Sequence, residues 1–447
     1  MLRYTLEKLK NLDRLLICEK EVNPEYELGA VLKYFRNKRP ILFNKVKGSR
    51  IRVAGGLYGD RDLVYKLLNV TRDNRLFRFM EAIANPKPYK IVSSGPVKEN
   101  VVTRNIDLPN MFPIPKFQER DSKPFITAGM LVIKDPDTGN FFTSIRRFQV
   151  NGGNKLSILI ASPKLTNLLL EYEKQKKSLE VAIVLGYDAC FLLASQVSSA
   201  TYGIDKYEID SALRGEPLEL VKCETVDLLV PAYAEIVLEG RVIPGEREVE
   251  GPFGELMGYY SNPAPQPIIE ITAVLHRNDP IFQVSFPCRE EHVTNGLIRE
   301  VELYNSLRNQ VDVVDVNVTE GGGYRFNAFV AINKKNEGDG KAAILAALGS
   351  NKDLKQVVVV DSDVDIYDVQ DIEWAITTRS QASEDFIIIP KSLGSSLDPS
   401  HDLRGVTDKV GIDATKPLRD EKKRFERAII PGYEKIDIRK YFPNIEI

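Results

Sequence analysis

The segment that most restricts the fold of this chain is EGPFGELMGYY, residues 250–260. Two glycines and a proline stand between its two glutamates, so the backbone must turn tightly here and cannot run as a helix or a strand. Such a turn lets Glu250 and Glu255 face one pocket. Two carboxylates in a water-poor site repel each other's charge, so one acid holds its proton more tightly and can donate it at neutral pH. The alternative is an exposed turn with two hydrated glutamates.

Composition limits the classes of partner. The chain has 447 residues, enough for two or three domains, and its 28% charged residues nearly cancel to a net charge of −2. No overall field therefore attracts nucleic acid or an anionic membrane, and we expect a small molecule or a protein as the partner.

The few cysteines and histidines limit the chemistry. Four cysteines lie far apart without a CxxC pair, which predicts reduced thiols and no zinc site. Only three histidines occur, so we expect carboxylates to do any acid–base work. No apolar run reaches membrane-spanning length and the first residues follow an amphipathic helical pattern, so we predict a cytoplasmic protein.

The order of the elements predicts an α/β (α+β) fold in three parts. Residues 1–120 are predicted to form an α/β domain that ends in a proline-rich linker, 86–124, wrapped over its neighbour. Residues 121–310 carry mostly strand signals, which predicts a barrel or half-barrel that ends in a long helix at 289–309. Residues 311–447 alternate strands and helices, which predicts a C-terminal α/β domain with some parallel pairing and a charged tail that docks elsewhere.

Hydrophobic periodicity predicts the individual elements. The predicted helices are 2–16, 24–35, 60–68, 74–83, 164–173, 188–195, 289–309, 341–348 and 369–377. The predicted strands are 41–46, 51–54, 126–133, 141–150, 179–185, 218–229, 234–238, 268–276, 281–286, 311–318, 326–332 and 357–360. The turn Asp-Pro-Asp-Thr-Gly at 135–139 indicates that two of these strands form a hairpin.

Five segments, in order along the chain, resemble the UbiD family of prenylated-FMN-dependent decarboxylases. They are FITAGMLVIKDPDTG (125–139), AEIVLEG (234–240), EGPFGELMGYYS (250–261), WAITTR (374–379) and KVGIDAT (409–415). The resemblance implies a central split β-barrel domain like that of flavin reductases, flanked by two α/β domains, in a homodimer or homohexamer. It also implies prenylated FMN made by a partner flavin prenyltransferase, and reversible non-oxidative decarboxylation of an α,β-unsaturated or aromatic acid.

The reaction that the resemblance implies needs a cofactor. Loss of carbon dioxide from a carbon in a double bond leaves a carbanion with no acceptor for its electrons, so side chains alone cannot drive it. By resemblance Glu255 is the proton donor, Glu250 is its partner, and Arg147 in TSIRRFQ is the third catalytic residue. The planar fork of an arginine can hold one carboxylate charged and leave the other neutral, and we expect Glu250 to be the charged one. We also expect Arg147 to orient the flavin or the departing carboxylate, the alternative being a surface cation.

Eight residues are expected to bind the cofactor on the same resemblance. Thr127 corresponds to a pocket residue near the flavin, and Ser198 and Ser199 to a loop that binds phosphate, although a plain turn is an equal alternative for the two serines. Lys341 corresponds to a lysine near the cofactor, and it lacks the GxxxxGK spacing of a nucleotide-binding loop. The full set is Thr127, Ser144, Arg146, Arg147, Ser198, Ser199, Lys206 and Lys341.

Three titratable residues, Glu290, Glu291 and His292, open the predicted long helix. They could line the site or simply form the charged first turn of the helix. We prefer the second interpretation.

The sequence departs from the family at the metal site. By resemblance the family ties its flavin phosphate to a divalent cation, usually manganese, through an asparagine, a histidine and a glutamate. Counting from the motifs, these places carry Phe142, Pro163 and Lys206, none of which can bind a hard cation in that way. A one-residue shift would bring in Asp205, and Glu208 is near. Our hypothesis is that Lys206, together with Arg146, supplies the positive charge that the metal would supply.

Two classes of function remain open at this point. One is a decarboxylase that acts on a polyprenyl-hydroxybenzoate or on an anhydromevalonate phosphate, as members of the family do. The other is a homologue of this fold that has lost the metal site and is non-catalytic or binds plain FMN. The intact set of Arg147, Glu250 and Glu255 favours the enzyme, and the altered metal site favours the alternative.

Overall fold

The structure of the chain is a computed structural model. It describes residues 1–160, 162–198, 203–287, 289–402, 404–419 and 424–442. Its described helices are Leu2–Asn11, Glu27–Tyr34, Arg61–Leu67, Arg75–Ala84, Leu108–Met111, Pro163–Lys174, Ala189–Gln196, Lys206–Arg214, Glu290–Leu307, Asp339–Ser350, Val369–Arg379 and Ala382–Asp385. Within these ranges, no helix combines the length and the apolar character that crossing a bilayer requires.

The first layer is a small α/β unit around a four-stranded sheet. Three of its strands, Leu16–Cys18, Ile41–Phe43 and Arg52–Gly55, come from the N-terminal part of the chain. The fourth, Ile281–Gln283, pairs in parallel with Arg52–Gly55 from more than two hundred residues away. The predicted strand 281–286 therefore ends early and belongs to the N-terminal sheet instead of the barrel.

Six antiparallel strands form the closed barrel at the centre, which confirms the predicted barrel. The strand Ile236–Glu250 pairs on one side with Leu179–Leu185 and on the other with Ala264–His276, and these pairings close the sheet. Apolar side chains pack around these strands, and Phe125–Lys134 and Leu179–Leu185 are buried along almost their whole length. The six strands in order around the barrel are Ile236–Glu250, Leu179–Leu185, Phe125–Lys134, Phe141–Gly152, Lys155–Ile158 and Ala264–His276, with Asn100–Val102 added at the edge.

A register shift interrupts the hairpin between the strands Phe125–Lys134 and Phe141–Gly152. It falls between Ile126 and Gly129, next to Thr127. A Cβ on Gly129 would lie 2.5 Å from the Phe148 ring, so only glycine fits here. Irregularities of this kind often adjust side chains near a site, and this one lies on the strand that carries a predicted pocket residue.

The C-terminal part is a five-stranded sheet covered by helices. Its strand order is Val313–Val318, Asn327–Ile332, Gln356–Asp361, Val406–Ala414 and Phe386–Leu393, and the middle three strands run parallel. The predicted parallel α/β arrangement is present. The last two strands in this order were not predicted from the sequence.

The long helix Glu290–Leu307 joins the barrel to the C-terminal sheet. Its buried Glu300 accepts hydrogen bonds from Arg61 Nη1 at 2.7 Å and Arg75 Nε at 3.0 Å, both on N-terminal helices. Glu300 also accepts from the backbone N–H of Val318 at 2.9 Å, on the first strand of the C-terminal sheet. One buried carboxylate thus ties three parts of the chain together.

Several predicted element boundaries were wrong. The first helix ends at Asn11 because the following residues form the strand Leu16–Cys18. The predicted strand 218–229 is two short antiparallel strands joined by a turn, Glu219–Lys222 and Leu229–Pro231. The predicted strand 234–238 extends to Glu250, so Glu250 ends a strand and only the residues after it turn.

Candidate active site

A cavity of about 1500 Å³ opens between the barrel, the start of the long helix and the C-terminal sheet. The strand Phe141–Gly152 and the segment 250–266 form its barrel wall. The helix Glu290–Leu307 and the residues around Asp353 and Ser395 form the opposite wall. Most of the residues that the sequence predicts to act together line this one cavity.

Arg147 and Glu250 form a two-pronged ion pair at the base of this cavity. Arg147 Nε donates to Glu250 Oε1 at 2.8 Å, and Nη2 donates to Glu250 Oε2 at 3.1 Å. Both residues are buried, with Glu250 only 1% exposed. The fork geometry holds both groups in fixed orientations and suits two charged partners.

Glu255 meets the same guanidinium from the turn. Its Oε1 accepts from Arg147 Nη1, and Ser261 Oγ lies 3.3 Å from Arg147 Nη2. The Phe253 ring lies 4.6 Å beneath the guanidinium carbon, a stacking contact that fixes its plane. The structure thus brings Arg147, Glu250 and Glu255 together as the sequence led us to expect.

The turn that carries Glu255 is held by hydrogen bonds at both ends. Gly251 N donates to Gln149 Oε1 at 3.0 Å, and Gly254 N donates to Asp121 Oδ1 at 2.9 Å. Glu255 itself donates its backbone N–H to Tyr259 O at 2.8 Å. Its side chain is 15% exposed against 2% for that of Glu250, so Glu255 is the acid that a bound ligand can reach.

Three further residues of the strand that carries Arg147 line the same cavity. Phe142, Ser144 and Arg146 occupy alternate positions and all line the cavity. Within the described part of the chain, Ser144 Oγ and Arg146 Nε are buried atoms without hydrogen-bond partners, and burial lowers the pKa of Arg146. Buried polar atoms of this kind can be satisfied by water or by a ligand that enters the cavity.

Lys206 lies against the same strand and is 4% exposed. Its Nζ donates to Thr143 O at 2.7 Å and to Ser195 O at 2.6 Å, and it lies 4.5 Å from the centre of the Phe142 ring. Burial, with smaller contributions from Arg146 and Lys164, lowers its pKa to about 7.

The remaining predicted cofactor residues divide into three groups. Thr127 and Ser198 line the cavity, and Thr127 Oγ1 accepts from Ser285 N at 3.2 Å. Ser199 lies outside the described residues. Lys341 is exposed on the helix Asp339–Ser350 and does not line the cavity.

The start of the long helix contributes more than a charged first turn. Glu290 is buried and accepts backbone N–H groups from Gly56 and Tyr58, and burial raises its pKa to about 7. Glu291 and His292 line the cavity, with Glu291 Oε2 accepting from Ser285 Oγ at 3.0 Å. Glu291 and His292 therefore line the site, and the preferred interpretation, a charged first turn alone, does not describe them.

Sequence reasoning missed two arginines on the far wall. Arg299 Nη2 donates to Asp353 Oδ2 at 2.8 Å, and Arg325 Nη1 donates to the same oxygen. Burial opposes ionisation of Asp353, but Arg325 and Arg299 outweigh it and lower its pKa. Arg299 Nη1 is buried and has no hydrogen-bond partner among the described residues. The spacing of His292, Asn295 and Arg299, three and then four residues apart, is a signal that places them on one face of a helix.

The residues present fit a flavin phosphate but not a divalent metal. Lys206, Arg146 and Ser144 offer positive charge and unpartnered polar atoms at one end of the cavity. Phe142 and Pro163 have no donor atoms for a hard cation, and both carboxylate oxygens of Asp205 accept backbone N–H groups. Across the ranges that the structure describes, no group of three or more His, Cys, Asp and Glu residues could hold a metal ion.

Three family models match consecutive parts of the chain. They are the 3-octaprenyl-4-hydroxybenzoate carboxy-lyase N-terminal domain at residues 6–83, the Rift-related domain at 90–290 and the C-terminal domain at 292–414. These matches cover well over half of the sequence.

Relatives and solved structures align along almost the whole chain. The anhydromevalonate phosphate decarboxylase of Methanothermobacter thermautotrophicus is 38% identical and covers 95% of this chain and 99% of its own length. The phenolic acid decarboxylase of Bacillus subtilis is 33% identical, with coverage of 94% and 92%. The UbiD-class enzyme HmfF from Pelotomaculum thermopropionicum, solved in complex with FMN, is 44% identical with a TM-score of 0.96 and coverage of 98% and 99%. An evolved dimeric form of HmfF in complex with prFMN is 42% identical, with a TM-score of 0.91 and the same coverage.

Proposed function

Because the chain belongs to the UbiD family of carboxy-lyases, we propose that it catalyses reversible, non-oxidative decarboxylation of an α,β-unsaturated or aromatic acid with prenylated FMN. The observation that carries the proposal is the Arg147 fork, which holds Glu250 and Glu255 at the base of one cavity. The alternative, a non-catalytic homologue or one that binds plain FMN, is not favoured, because the relatives are named decarboxylases and the three acid–base residues are in contact.

Each of the three residues has a separate task in this proposal. When bound, the prenylated flavin supplies the sink for the electron pair that carbon dioxide leaves behind on the substrate carbon. Glu255, the more exposed acid, delivers the proton from its carboxyl group to the carbon that loses carbon dioxide. Glu250 is buried and holds Arg147 in place through two hydrogen bonds, so the guanidinium can orient Glu255 and the substrate carboxylate.

The two ends of the cavity suit two different anionic groups, the flavin phosphate at one end and a group of the substrate at the other. Lys206, Arg146, Ser144 and Ser198 are proposed to hold the flavin phosphate, with Thr127 against the flavin. Lys341 has no part in this proposal because it lies away from the cavity.

The far wall bears on the choice of substrate. Arg299 and Arg325 share one carboxylate, Asp353, and Lys352 lines the same region, so positive charge exceeds negative charge among these four residues. Such a wall suits a second anionic group on the substrate and not a long apolar tail. We therefore place an anhydromevalonate phosphate ahead of a polyprenyl-hydroxybenzoate, in line with the names of three relatives at 36–38% identity.

The assembly and the supply of cofactor are part of the same proposal. Ile388 and Leu393 are 70% and 62% exposed on Phe386–Leu393, which is an edge strand of the C-terminal sheet. An exposed apolar edge strand suits pairing with another copy, which supports a homodimer or homohexamer. A flavin prenyltransferase is the proposed source of the cofactor, and a cytoplasmic location is proposed from the sequence alone.

Co-expression with a flavin prenyltransferase tests the function. We expect a purified protein with the absorbance spectrum of prenylated flavin that releases carbon dioxide from anhydromevalonate phosphate faster than from a polyprenyl-hydroxybenzoate. Glu255→Gln should keep the flavin spectrum and lose at least about 100-fold in turnover, since its side chain no longer carries the proton.

Glu246→Gln is the matched control, because Glu246 is an exposed glutamate on the strand that ends at Glu250. It should leave turnover unchanged. A protein that carries the prenylated flavin but turns over neither substrate class nor simpler unsaturated acids would contradict the decarboxylase proposal.

A further inference from the structure

Lys206 is buried, Arg146 is partly buried, and both line one end of the cavity. Lys206 Nζ donates to the backbone oxygens of Thr143 and Ser195, and Arg146 Nε has no hydrogen-bond partner in the described part of the chain. Among the residues that the structure describes, no ion pair joins Lys206 or Arg146 to a carboxylate. Burial disfavours the charged form of these side chains and a bound anion would restore it, so the two residues form a suitable anion site.

The neighbouring charged groups do not supply that anion. Lys164, on the helix Pro163–Lys174, forms its own ion pair with Asp135 at 2.6 Å. Asp205 directs both carboxylate oxygens to backbone N–H groups, those of Phe141 and Tyr207, and burial raises its pKa to about 6. Within the described residues, no carboxylate therefore neutralises Lys206 or Arg146, and both residues line the cavity.

The donors around this point suit an anion and not a cation. An ammonium, a guanidinium and a serine hydroxyl, that of Ser144, can all donate hydrogen bonds to a phosphate. A hard divalent cation needs several oxygen ligands, and the Phe142 ring stands against Lys206 Nζ at 4.5 Å. The same side chains cannot serve both kinds of ligand.

We propose that Lys206 and Arg146 bind the phosphate of the flavin directly, so that this chain holds its cofactor without a divalent metal ion. The identity of the ligand rests on the proposed function, whereas the anion site rests on the contacts given above. A phosphate on the substrate is the other source of the same chemistry, and the experiment separates the two.

The test compares FMN with riboflavin, which lacks the phosphate, by quenching of flavin fluorescence on titration with the apoprotein. Wild-type protein is expected to bind FMN more tightly than riboflavin, with no change after dialysis against EDTA and no stoichiometric divalent metal in the complex. Lys206→Met should weaken FMN binding by roughly 10- to 150-fold, the loss expected for one hydrogen bond to a charged group, and leave riboflavin binding within about twofold. Arg146→Met should act in the same direction.

Lys155→Met is the matched control, because Lys155 lies on a barrel strand with its side chain 42% exposed. It should leave both affinities unchanged, and circular dichroism reports whether each variant folds. The EDTA and metal measurements use the wild-type protein, so they stand even if Lys206→Met does not fold.

Three outcomes overturn the inference, and they differ in what they imply for the function. A stoichiometric metal whose removal releases FMN overturns the metal-free site and leaves the decarboxylase proposal intact. Equal wild-type affinity for FMN and riboflavin, or full FMN affinity in Lys206→Met, shows that the flavin phosphate binds elsewhere and assigns these cations to a substrate phosphate. If the wild-type protein binds neither flavin, the proposed function fails together with this inference.

Discussion

Replacing Arg147 by lysine separates the contribution of the forked guanidinium geometry from that of the positive charge, which lysine keeps. The arginine makes two bonds to Glu250, one to Glu255 and one to Ser261, whereas a lysine ammonium can direct its protons to about one of the two carboxylates. At least two hydrogen bonds between charged groups are lost, each worth about 1.5–3 kcal/mol, and the retained positive charge recovers part of that loss. We take the remaining cost at the transition state as about 3 kcal/mol, which lowers kcat on the order of 100-fold.

The assay measures carbon dioxide release from the prenylated-flavin protein under saturating substrate, with the flavin spectrum as the check on cofactor content. Unfolding by denaturant should show a loss of stability as well, since a buried ion pair that loses its geometry leaves a carboxylate poorly compensated. Arg247→Lys is the matched control on the strand Ile236–Glu250, where the arginine contacts Glu173 at 2.7 Å with 30% of its side chain exposed. An Arg147→Lys protein with full turnover and a normal flavin content would refute the bracing role of the fork.

Two further predictions concern pH and the buried network. The pKa of Lys206 is lowered to about 7 in the free protein, so the ammonium is lost as pH rises above 7, and a bound phosphate dianion needs it protonated. The dissociation constant for FMN should therefore rise by up to about tenfold per pH unit between pH 7 and pH 9, with a flat profile for riboflavin and for Lys206→Met in the same fluorescence titration. Glu300→Gln should lower the free energy of unfolding by about 3 kcal/mol, because Arg61 and Arg75 lose their shared buried carboxylate. Denaturant titration measures this loss. As a control, Glu81→Gln at the exposed ion pair with Arg78 should cost under about 1 kcal/mol of unfolding free energy. Equal effects for the two variants would contradict a stabilising role for the buried contacts of Glu300.

The turn that carries Glu255 was within reach of the sequence because glycines and a proline force it directly after Glu250. Arg147 was identified only through the resemblance to the UbiD family, because its contact with Glu250 joins two strands about a hundred residues apart. The barrel itself follows from a long succession of strand signals, and the closing pair forms as expected for that class of fold.

Other features depend on contacts that the local sequence does not record. The strand Ile281–Gln283 is only three residues long and pairs with Arg52–Gly55, so its partner cannot be inferred from periodicity. The strand Phe386–Leu393 is largely exposed and contains a proline and a lysine, and the mostly buried strand Val406–Ala414 alternates charged and small residues. Neither strand shows a clear strand pattern in the sequence, and we predicted no strand in this stretch. Burial of Glu290 likewise depends on Gly56 and Tyr58, which come from the opposite end of the chain.

The distant partner of the N-terminal sheet also affects how the molecule is made. During synthesis the strand Arg52–Gly55 leaves the ribosome long before Ile281–Gln283 exists. At roughly 5–20 residues per second, its outer hydrogen-bonding edge stays open for about 10–45 seconds. A nascent chain in that interval carries an unpaired apolar edge that invites wrong pairing, so chaperone binding should concentrate there until the last strand arrives.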